Sequence, residues 1–145
     1  MRFNVSFINR MYTTILKDIL RVKEEKRFTG ATNLLIASVV VILLYDKAIA
    51  VSCLLFLTVS DSVAALVGKR FGRIRIYDKT LEGSIAFLLT SIIIIILIKS
   101  IDFTTGICGA FTATFVELTV TVMDDNLSIP LFSGLIMQLF STFLL

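Results

Sequence analysis

The sequence contains no histidine and a single proline, Pro130, among its 145 residues. Without histidine, the chain lacks the commonest general base at neutral pH and a common zinc ligand. Any acid–base or metal chemistry must therefore be carried by carboxylates. The two cysteines, Cys53 and Cys108, both lie in apolar runs. We expect them to pack as small side chains and not to form a disulfide.

Charged residues are also scarce, at 17% of the chain, whereas 57% of the residues are apolar and the mean hydropathy is +0.94. Several apolar runs approach the roughly 20 residues that cross a bilayer as a helix, so this composition is typical of an integral membrane protein. A chain of 145 residues leaves no room for a separate soluble catalytic domain. We therefore expect helices and short loops to carry the function. The bilayer is a predicted partner, nucleic acid is not, and a homo-oligomer is possible.

The N-terminal region predicts an amphipathic helix. In residues 4–22, apolar side chains recur at helical spacing while Arg, Lys and Thr occupy the other face. A basic amphipathic helix suits the membrane interface, although docking onto the other helices remains an alternative. We assign residues 1–28 to an amphipathic cytoplasmic arm and residues 29–145 to a transmembrane catalytic domain.

The rest of the chain alternates apolar runs with short polar turns. We expect the second run to break at Gly68, where a basic loop of residues 68–80 begins. The predicted fold is therefore all-α, a polytopic membrane helix bundle of about five spans. The predicted spans are Gly30–Tyr45, Ala48–Val67, Leu81–Ile98, Thr104–Met123 and Leu127–Leu145.

The distribution of positive charge predicts the topology. Of the 14 Lys and Arg residues, seven lie in residues 1–28 and five in residues 68–80. The positive-inside rule places both segments in the cytoplasm. This orientation brings Asp61, Glu82 and Glu117 close to one face of the membrane, together with the acidic turn at residues 124–126.

This face combines the groups that bind a metal–phosphate complex. Carboxylate oxygens suit Mg²⁺, and basic groups balance phosphate charge. Gly68, Gly72 and Gly83 allow close approach of the backbone to a ligand, and the start of the third span offers free N–H groups to an anion. Each signal also has an ordinary explanation. A basic loop commonly marks topology, and acids within spans also mark the ion paths of transporters.

Two groups of residues, at their spacings in the chain, resemble a known family. They resemble signatures of the dolichol kinase, phytol kinase and CTP-dependent diacylglycerol kinase family. The first group comprises Asp61, Ala64, Ala65, Gly68, Phe71, Gly72, Lys79, Glu82, Gly83 and Ser84, and the second comprises Glu117, Asp125, Asn126, Leu127, Pro130 and Leu131.

The resemblance implies a lipid kinase that uses CTP as phosphoryl donor, with Mg²⁺, at the cytoplasmic membrane surface. Its substrate would be a lipid alcohol: a polyprenol such as dolichol, a phytol-like prenol or a diacylglycerol. Glu82 would orient or deprotonate the lipid hydroxyl, and basic residues including Lys79 would hold the triphosphate. The implied catalytic residues are Asp61, Glu82, Glu117 and Asp125; the nucleotide-binding residues are Gly68, Lys69, Arg70, Gly72, Lys79, Gly83, Ser84 and Asn126; the metal ligands are Asp61, Glu117 and Asp125.

Two alternatives remain at this point. The first signature is also similar to that of phosphatidate cytidylyltransferases, which make a CDP-lipid. That family carries a later block containing histidine, which this chain lacks, so the kinase is favoured. The second alternative is a small membrane transporter. Members of the kinase family usually carry further spans before this region. Whether this chain is active must therefore be tested by experiment.

Overall fold

The computed structural model describes residues 30–119 and 124–144. The predicted arm of residues 1–28 and the predicted end of the fourth span at Met123 lie outside this part. Within it, the all-α prediction is confirmed, apart from one short hairpin. The helices are α1 (Gly30–Leu44), α2 (Lys47–Phe71), α3 (Leu81–Leu97), α4 (Phe103–Thr119) and α5 (Asp125–Leu144), and strands β1 (Arg75–Ile76) and β2 (Lys79–Thr80) form the hairpin between α2 and α3.

The helices form one bundle with a continuous apolar core. Helix α3 packs between α2 and α4, while α5 contacts α1, α2 and α4. Large side chains that are fully buried, among them Phe56, Phe87, Ile129 and Met137, join α2, α3 and α5 at the centre. In a lipid environment such side chains stabilise the fold through close van der Waals packing, because lipid tails are as apolar as the side chains themselves. Apolar packing therefore holds the helix ends, and the polar groups on them, in fixed relative positions.

The outer surface of the bundle is also apolar. Leu43 on α1 and Phe143 on α5 are 78% and 85% exposed, and many other large apolar side chains face outward. Among the described helices, α2 and residues 125–143 of α5 are long and apolar enough to cross a membrane, while α1 and α3 are shorter apolar helices. An apolar exterior of this kind suits a lipid environment. The crossing of the membrane by all five helices stays a prediction.

Helix α2 corrects the predicted break at Gly68, because the helix continues to Phe71. A Cβ atom at Gly68 would lie 2.7 Å from Thr80 Oγ1 and 3.9 Å from the Cα atom of Gly83. Gly68 therefore serves the close approach of α2 to the start of α3. The expectation that the loop begins at Gly68 was wrong.

Gly83 makes the same approach from α3, and its replacement tests the contact. A Cβ atom there would lie 2.9 Å from the backbone carbonyl oxygen of Ala64, which cannot rotate away. We expect Gly83→Ala to separate the helices and to lower the free energy of unfolding by about 2 kcal/mol, measured by denaturant unfolding in detergent. Gly30→Ala is the control, since its nearest neighbour is the movable side-chain amide of Asn126, at 3.1 Å. Equal effects of the two substitutions would contradict the close packing at Gly83.

Helix α2 contains a π-helical turn, Phe56–Ser60, directly before Asp61. The hydroxyl of Ser91 on α3 donates a hydrogen bond of 3.0 Å to Ser60 Oγ, and both serines are fully buried. A π turn rotates the residues that follow it relative to a regular α-helix, and such turns frequently occur at functional sites. The turn and its serine contact therefore fix the direction in which the side chain of Asp61 projects from α2.

Candidate active site

The hairpin between α2 and α3 positions a single lysine. Strand β1 pairs antiparallel with β2, and Tyr77 in the connecting turn has a left-handed φ of 54°. Such a φ is unfavourable for a bulky residue, and strain of this kind is often found at functional sites. Thr80 then caps α3, its Oγ1 atom accepting a hydrogen bond of 3.2 Å from the N–H of Gly83. Lys79 is consequently held one residue before the cap of α3.

The ammonium group of Lys79 lies among three carboxylates that come from three helices. Its Nζ atom is 2.8 Å from Asp125 Oδ2, 3.1 Å from Glu117 Oε1 and 3.7 Å from Asp61 Oδ1. These acids belong to α5, α4 and α2 respectively. We refer to Lys79 with these three carboxylates as the Lys79 cluster. Residues up to 64 positions apart in the sequence thus meet at one end of the bundle.

Burial and hydrogen bonding distinguish the members of the Lys79 cluster. The side chain of Glu117 is 2% exposed, whereas that of Asp61 is 36% exposed. Glu117 Oε2 also accepts a hydrogen bond of 2.9 Å from the hydroxyl of Ser84 on α3. Glu117 is therefore rigidly held, and Asp61 is the member most accessible from outside.

The environment of Lys79 keeps its side chain charged. Burial alone would lower the pKa of Lys79, but its hydrogen bond to Asp125 and the nearby charge of Glu117 outweigh burial and raise the pKa above its usual value. Three carboxylates surround the single ammonium of Lys79, so the formal charges of the Lys79 cluster sum to −2. The cluster can therefore accept a further cation.

A cavity of about 530 Å³ opens beside the Lys79 cluster, between α2 and the hairpin. This volume is within the usual range for small-molecule sites, about 300–1,000 Å³. Seven of the residues that the sequence predicted for the site line it: Asp61, Gly68, Lys69, Gly72, Lys79, Gly83 and Glu117. The basic loop thus faces the same space as the partly exposed Asp61 and the buried Glu117.

The remaining predicted site residues lie around this cavity without lining it. Glu82 accepts hydrogen bonds of 3.3 and 3.4 Å from the N–H of Ile74 and so fixes the loop backbone. Arg70 lies over the ring of Phe71, with 5.7 Å from its guanidinium carbon to the ring centroid. Asn126 donates a 2.9 Å hydrogen bond to Asp124. Ser84 orients Glu117, and Asp125 completes the Lys79 cluster.

Six residues that line the cavity were absent from the predicted site. Two of them, Ala64 and Ala65, lie on α2, and the other four lie in the hairpin: Arg75, Tyr77, Asp78 and Thr80. Their signal in the sequence is weak. The stretch Arg75 to Thr80 has the length of two paired residues on each side of a two-residue turn, but no Asn-Gly or Asp-Gly pair marks it as a hairpin. The hairpin forms because Thr80 caps α3 and because the N–H of Leu81 donates to the carbonyl of Ile74 at 2.9 Å.

The carboxylates that line the cavity supply only part of the coordination that Mg²⁺ requires. Mg²⁺ usually retains several waters and binds one or two carboxylates together with substrate phosphates. Asp61 and Glu117 both line the cavity, and the net negative charge of the Lys79 cluster favours a divalent cation. Across residues 30–119 and 124–144, however, no group of three or more acidic, histidine or cysteine side chains is arranged to hold a metal ion by itself. The arrangement therefore suits a cation that arrives with phosphate.

Comparison with known proteins gives three similarities of modest identity. The chain is 29% identical over 140 residues to an uncharacterized protein of Rickettsia prowazekii, a match that covers 90% of this chain and 69% of that protein. It is 35% identical over 89 residues to dolichol kinase of Saccharomyces cerevisiae, covering 54% of this chain and 17% of the kinase. It is 25% identical over 158 aligned positions to CTP-dependent diacylglycerol kinase 1 of Schizosaccharomyces pombe, covering 95% of this chain and 72% of the kinase.

No family model matches the chain. No solved structure matches it. Two of the three similar proteins are named as kinases, one over about half of this chain and one over nearly all of it. At these identities and lengths, the comparisons support a partial likeness to the kinase family and nothing narrower.

Proposed function

We propose that this protein is a CTP-dependent lipid kinase, which transfers a phosphoryl group to the hydroxyl of a membrane lipid alcohol at the cytoplasmic surface. The observation that carries the proposal is the Lys79 cluster, in which three helices and the hairpin converge beside a cavity of about 530 Å³. The names of the two similar kinases support the class of reaction. The proposed substrates are a polyprenol, a phytol-like prenol or a diacylglycerol.

The phosphates of the nucleotide would contact the basic residues that line the cavity. Lys69 and Arg75 line it and are exposed. In the described part of the chain, the ion pairs all belong to Lys79, so Lys69 and Arg75 remain available to phosphate oxygens. Lys79, in contrast, is engaged by its carboxylates. We therefore assign Lys79 to holding the acids in place and the triphosphate chiefly to Lys69 and Arg75.

The carboxylates would bind the cation and position the lipid. Mg²⁺, held by Asp61 and Glu117 with Asp125 nearby, would supply the positive charge that phosphate oxygens require during transfer. Asp61, the most exposed member of the Lys79 cluster, would also accept the hydrogen bond of the lipid hydroxyl. Glu82 would contribute indirectly, by fixing the loop backbone at Ile74. Phosphoryl transfer depends mainly on positioning and charge balance, so these groups suffice without histidine.

The direct test is an assay with purified protein, Mg²⁺ and CTP in mixed micelles that contain dolichol, a shorter prenol or diacylglycerol. We expect release of CDP together with a phosphorylated lipid. Release of pyrophosphate with phosphatidate as substrate would instead identify the protein as a cytidylyltransferase. If neither product forms with any of these lipids, the proposal is wrong, and ion flux in liposomes that is lost in Asp61→Asn would favour a transporter.

The assignment of the triphosphate to Lys69 and Arg75 predicts a selective change in kinetics. Lys69→Gln and Arg75→Gln should each raise the KM for CTP about tenfold, the loss expected for one charge-assisted hydrogen bond. The KM for the lipid should change little. Lys99→Gln is the matched control, because Lys99 is exposed in the turn between α3 and α4, at the other end of α3. An equal effect at all three positions would indicate a general effect of surface charge.

A further inference from the structure

Helix α1 supplies no member of the Lys79 cluster, and none of the residues that line the cavity beside that cluster belongs to it. Its first turn nevertheless lies at the same end of the bundle, because α1 packs against α5. The side-chain amide of Asn33 donates a hydrogen bond of 2.6 Å to Asp124 Oδ2, which joins residues 91 positions apart in the sequence. Asp124 directly precedes α5. The bond therefore ties the start of α1 to the start of the helix that carries Asp125.

Asp124 uses both oxygens of its carboxylate. While Oδ2 accepts from Asn33, Oδ1 accepts from Asn126, at 3.2 Å from its backbone N–H and at 2.9 Å from its side-chain amide. A bond from an aspartate side chain to the N–H two residues later is an Asx turn. The carbonyl oxygen of Asp124 also accepts from the N–H groups of Leu127 and Ser128, at 3.0 and 3.1 Å. The first turn of α5 is therefore organised by Asp124, whose second carboxylate oxygen is held by α1.

Asp125 is the residue that the Asx turn encloses. Its carboxylate makes the shortest of the three contacts with Lys79 Nζ, at 2.8 Å. An Asx turn restricts the backbone of the enclosed residue, and the backbone conformation in turn restricts the side-chain rotamer. The direction of the Asp125 carboxylate towards Lys79 therefore depends on where Asp124 is held.

We propose that Asn33 is a positioning residue for the candidate active site, and that it acts on Asp125 through the carboxylate of Asp124. The inference rests on the proposed function, because it assigns Asn33 a part in the same site. Asn33 is half-buried, and its bond to a carboxylate is charge-assisted, which makes it roughly twice as strong as a bond between neutral groups. Helix α1 thus contributes to the reaction without contacting the lipid or the nucleotide.

The first test is denaturant unfolding of the full chain in detergent, which makes no use of activity. Asn33→Ala should lower the midpoint of unfolding, and should lower it clearly less in an Asp125→Asn background, where the contact with Lys79 is already weakened. Gln138→Ala is the matched control, because the Gln138 amide donates a bond of 2.9 Å to the carboxylate of Asp46, just beyond the other end of α1. Its effect should be the same in both backgrounds. If the effects of Asn33→Ala and Asp125→Asn simply add, the proposal is overturned.

The second test is the kinase assay. Asn33→Ala should lower kcat about tenfold and leave the KM for CTP and for the lipid unchanged, because misplacing a group of the site weakens the transition state and Asn33 contacts neither substrate. Gln138→Ala should retain the native kcat.

An exchange of the two side chains tests the bond itself. Asn33→Asp should lower kcat further than Asn33→Ala, since it sets two carboxylates against each other. Adding Asp124→Asn should restore most of the loss, because the pair then bonds with donor and acceptor exchanged, and asparagine caps a helix as well as aspartate does. An active native chain whose kcat is unchanged in Asn33→Ala, or a loss in Asn33→Asp that Asp124→Asn does not reverse, would overturn the proposal. If the native chain has no kinase activity, the proposed function fails, and the unfolding experiment still decides whether Asn33 positions Asp125.

Discussion

Replacing Lys79 with methionine is expected to lower the free energy of unfolding by about 3 kcal/mol and to abolish measurable kinase activity. The substitution keeps most of the volume of the side chain but removes the charge that faces three carboxylates, at 2.8, 3.1 and 3.7 Å. Removing one partner of a buried ion pair typically costs 3–5 kcal/mol. We choose the low end because the side chain of Lys79 is 29% exposed. Denaturant unfolding in detergent measures the change.

The variant should also acquire a dependence on divalent cations. Without the ammonium, Glu117, Asp61 and Asp125 would repel one another, so Mg²⁺ that binds them would stabilise the folded state. We expect millimolar Mg²⁺ to restore part of the lost stability in Lys79→Met and to have little effect on Lys69→Met. Lys69 is the control because it is an exposed lysine that lines the same cavity. If both variants unfold at the same denaturant concentration as the native chain, the Lys79 cluster has no structural importance.

The sequence predicts the meeting of the acids better than it predicts the details of the site. The charge distribution predicts that Asp61, Glu117 and Asp125 lie near one face of the membrane. The structure brings all three carboxylates to Lys79. Where the structure describes both, the bounds of the apolar runs agree with those of the helices to within a few residues, because length and apolar content dominate both. What these patterns lack is information on the direction of each side chain.

Gly68 illustrates a limit of reasoning from local propensity. Glycine near the end of an apolar run commonly ends a helix, and the sequence offers no sign of what lies opposite. In the structure, the neighbouring surface is Gly83 and Thr80 of the following helix, so packing between helices determines the role of Gly68. Ser60 in the π turn before Asp61 is likewise bonded to Ser91, which is 31 residues away in the sequence. Such contacts between distant residues are decided by tertiary packing.

Glu82 illustrates a different limit. Its place in a motif next to Gly83 and Ser84 groups it with the other acids, yet its carboxylate binds the backbone at Ile74. Adjacent residues at the start of a helix point in different directions, since each residue turns by about 100°. Ser84, two positions later, therefore faces Glu117 while Glu82 faces the loop. A linear motif thus mixes residues that line the cavity with residues that support the backbone.

Replacing Glu117 with glutamine is expected to lower kcat at least 100-fold while changing the free energy of unfolding by less than about 1 kcal/mol. The amide keeps the size of the side chain, and its oxygen can accept from Lys79. Its NH₂ group can then donate to Ser84 Oγ, whose hydroxyl can donate to the carbonyl oxygen of Thr80. Lys79 also retains Asp125 at 2.8 Å and Asp61 at 3.7 Å. What disappears is one charge at the cation site, and losing one such electrostatic contact commonly costs 10²–10³ in kcat. The assay is CTP-dependent phosphorylation of the lipid, with the Mg²⁺ concentration varied.

The dependence on Mg²⁺ separates a catalytic role of Glu117 from a structural one. If Glu117 helps to hold the cation, Glu117→Gln should need several-fold more Mg²⁺ for half-maximal activity while the KM for the lipid stays unchanged. Ser84→Ala, which leaves the carboxylate in place but removes the bond that orients it, should show a smaller loss of about tenfold, in line with one hydrogen bond to a charged group. Full activity in Glu117→Gln, with unaltered Mg²⁺ dependence, would reduce Glu117 to a structural partner of Lys79. Asp61 and Asp125 would then be the carboxylates assigned to bind the cation, and Asp61→Asn would be the variant that tests this assignment.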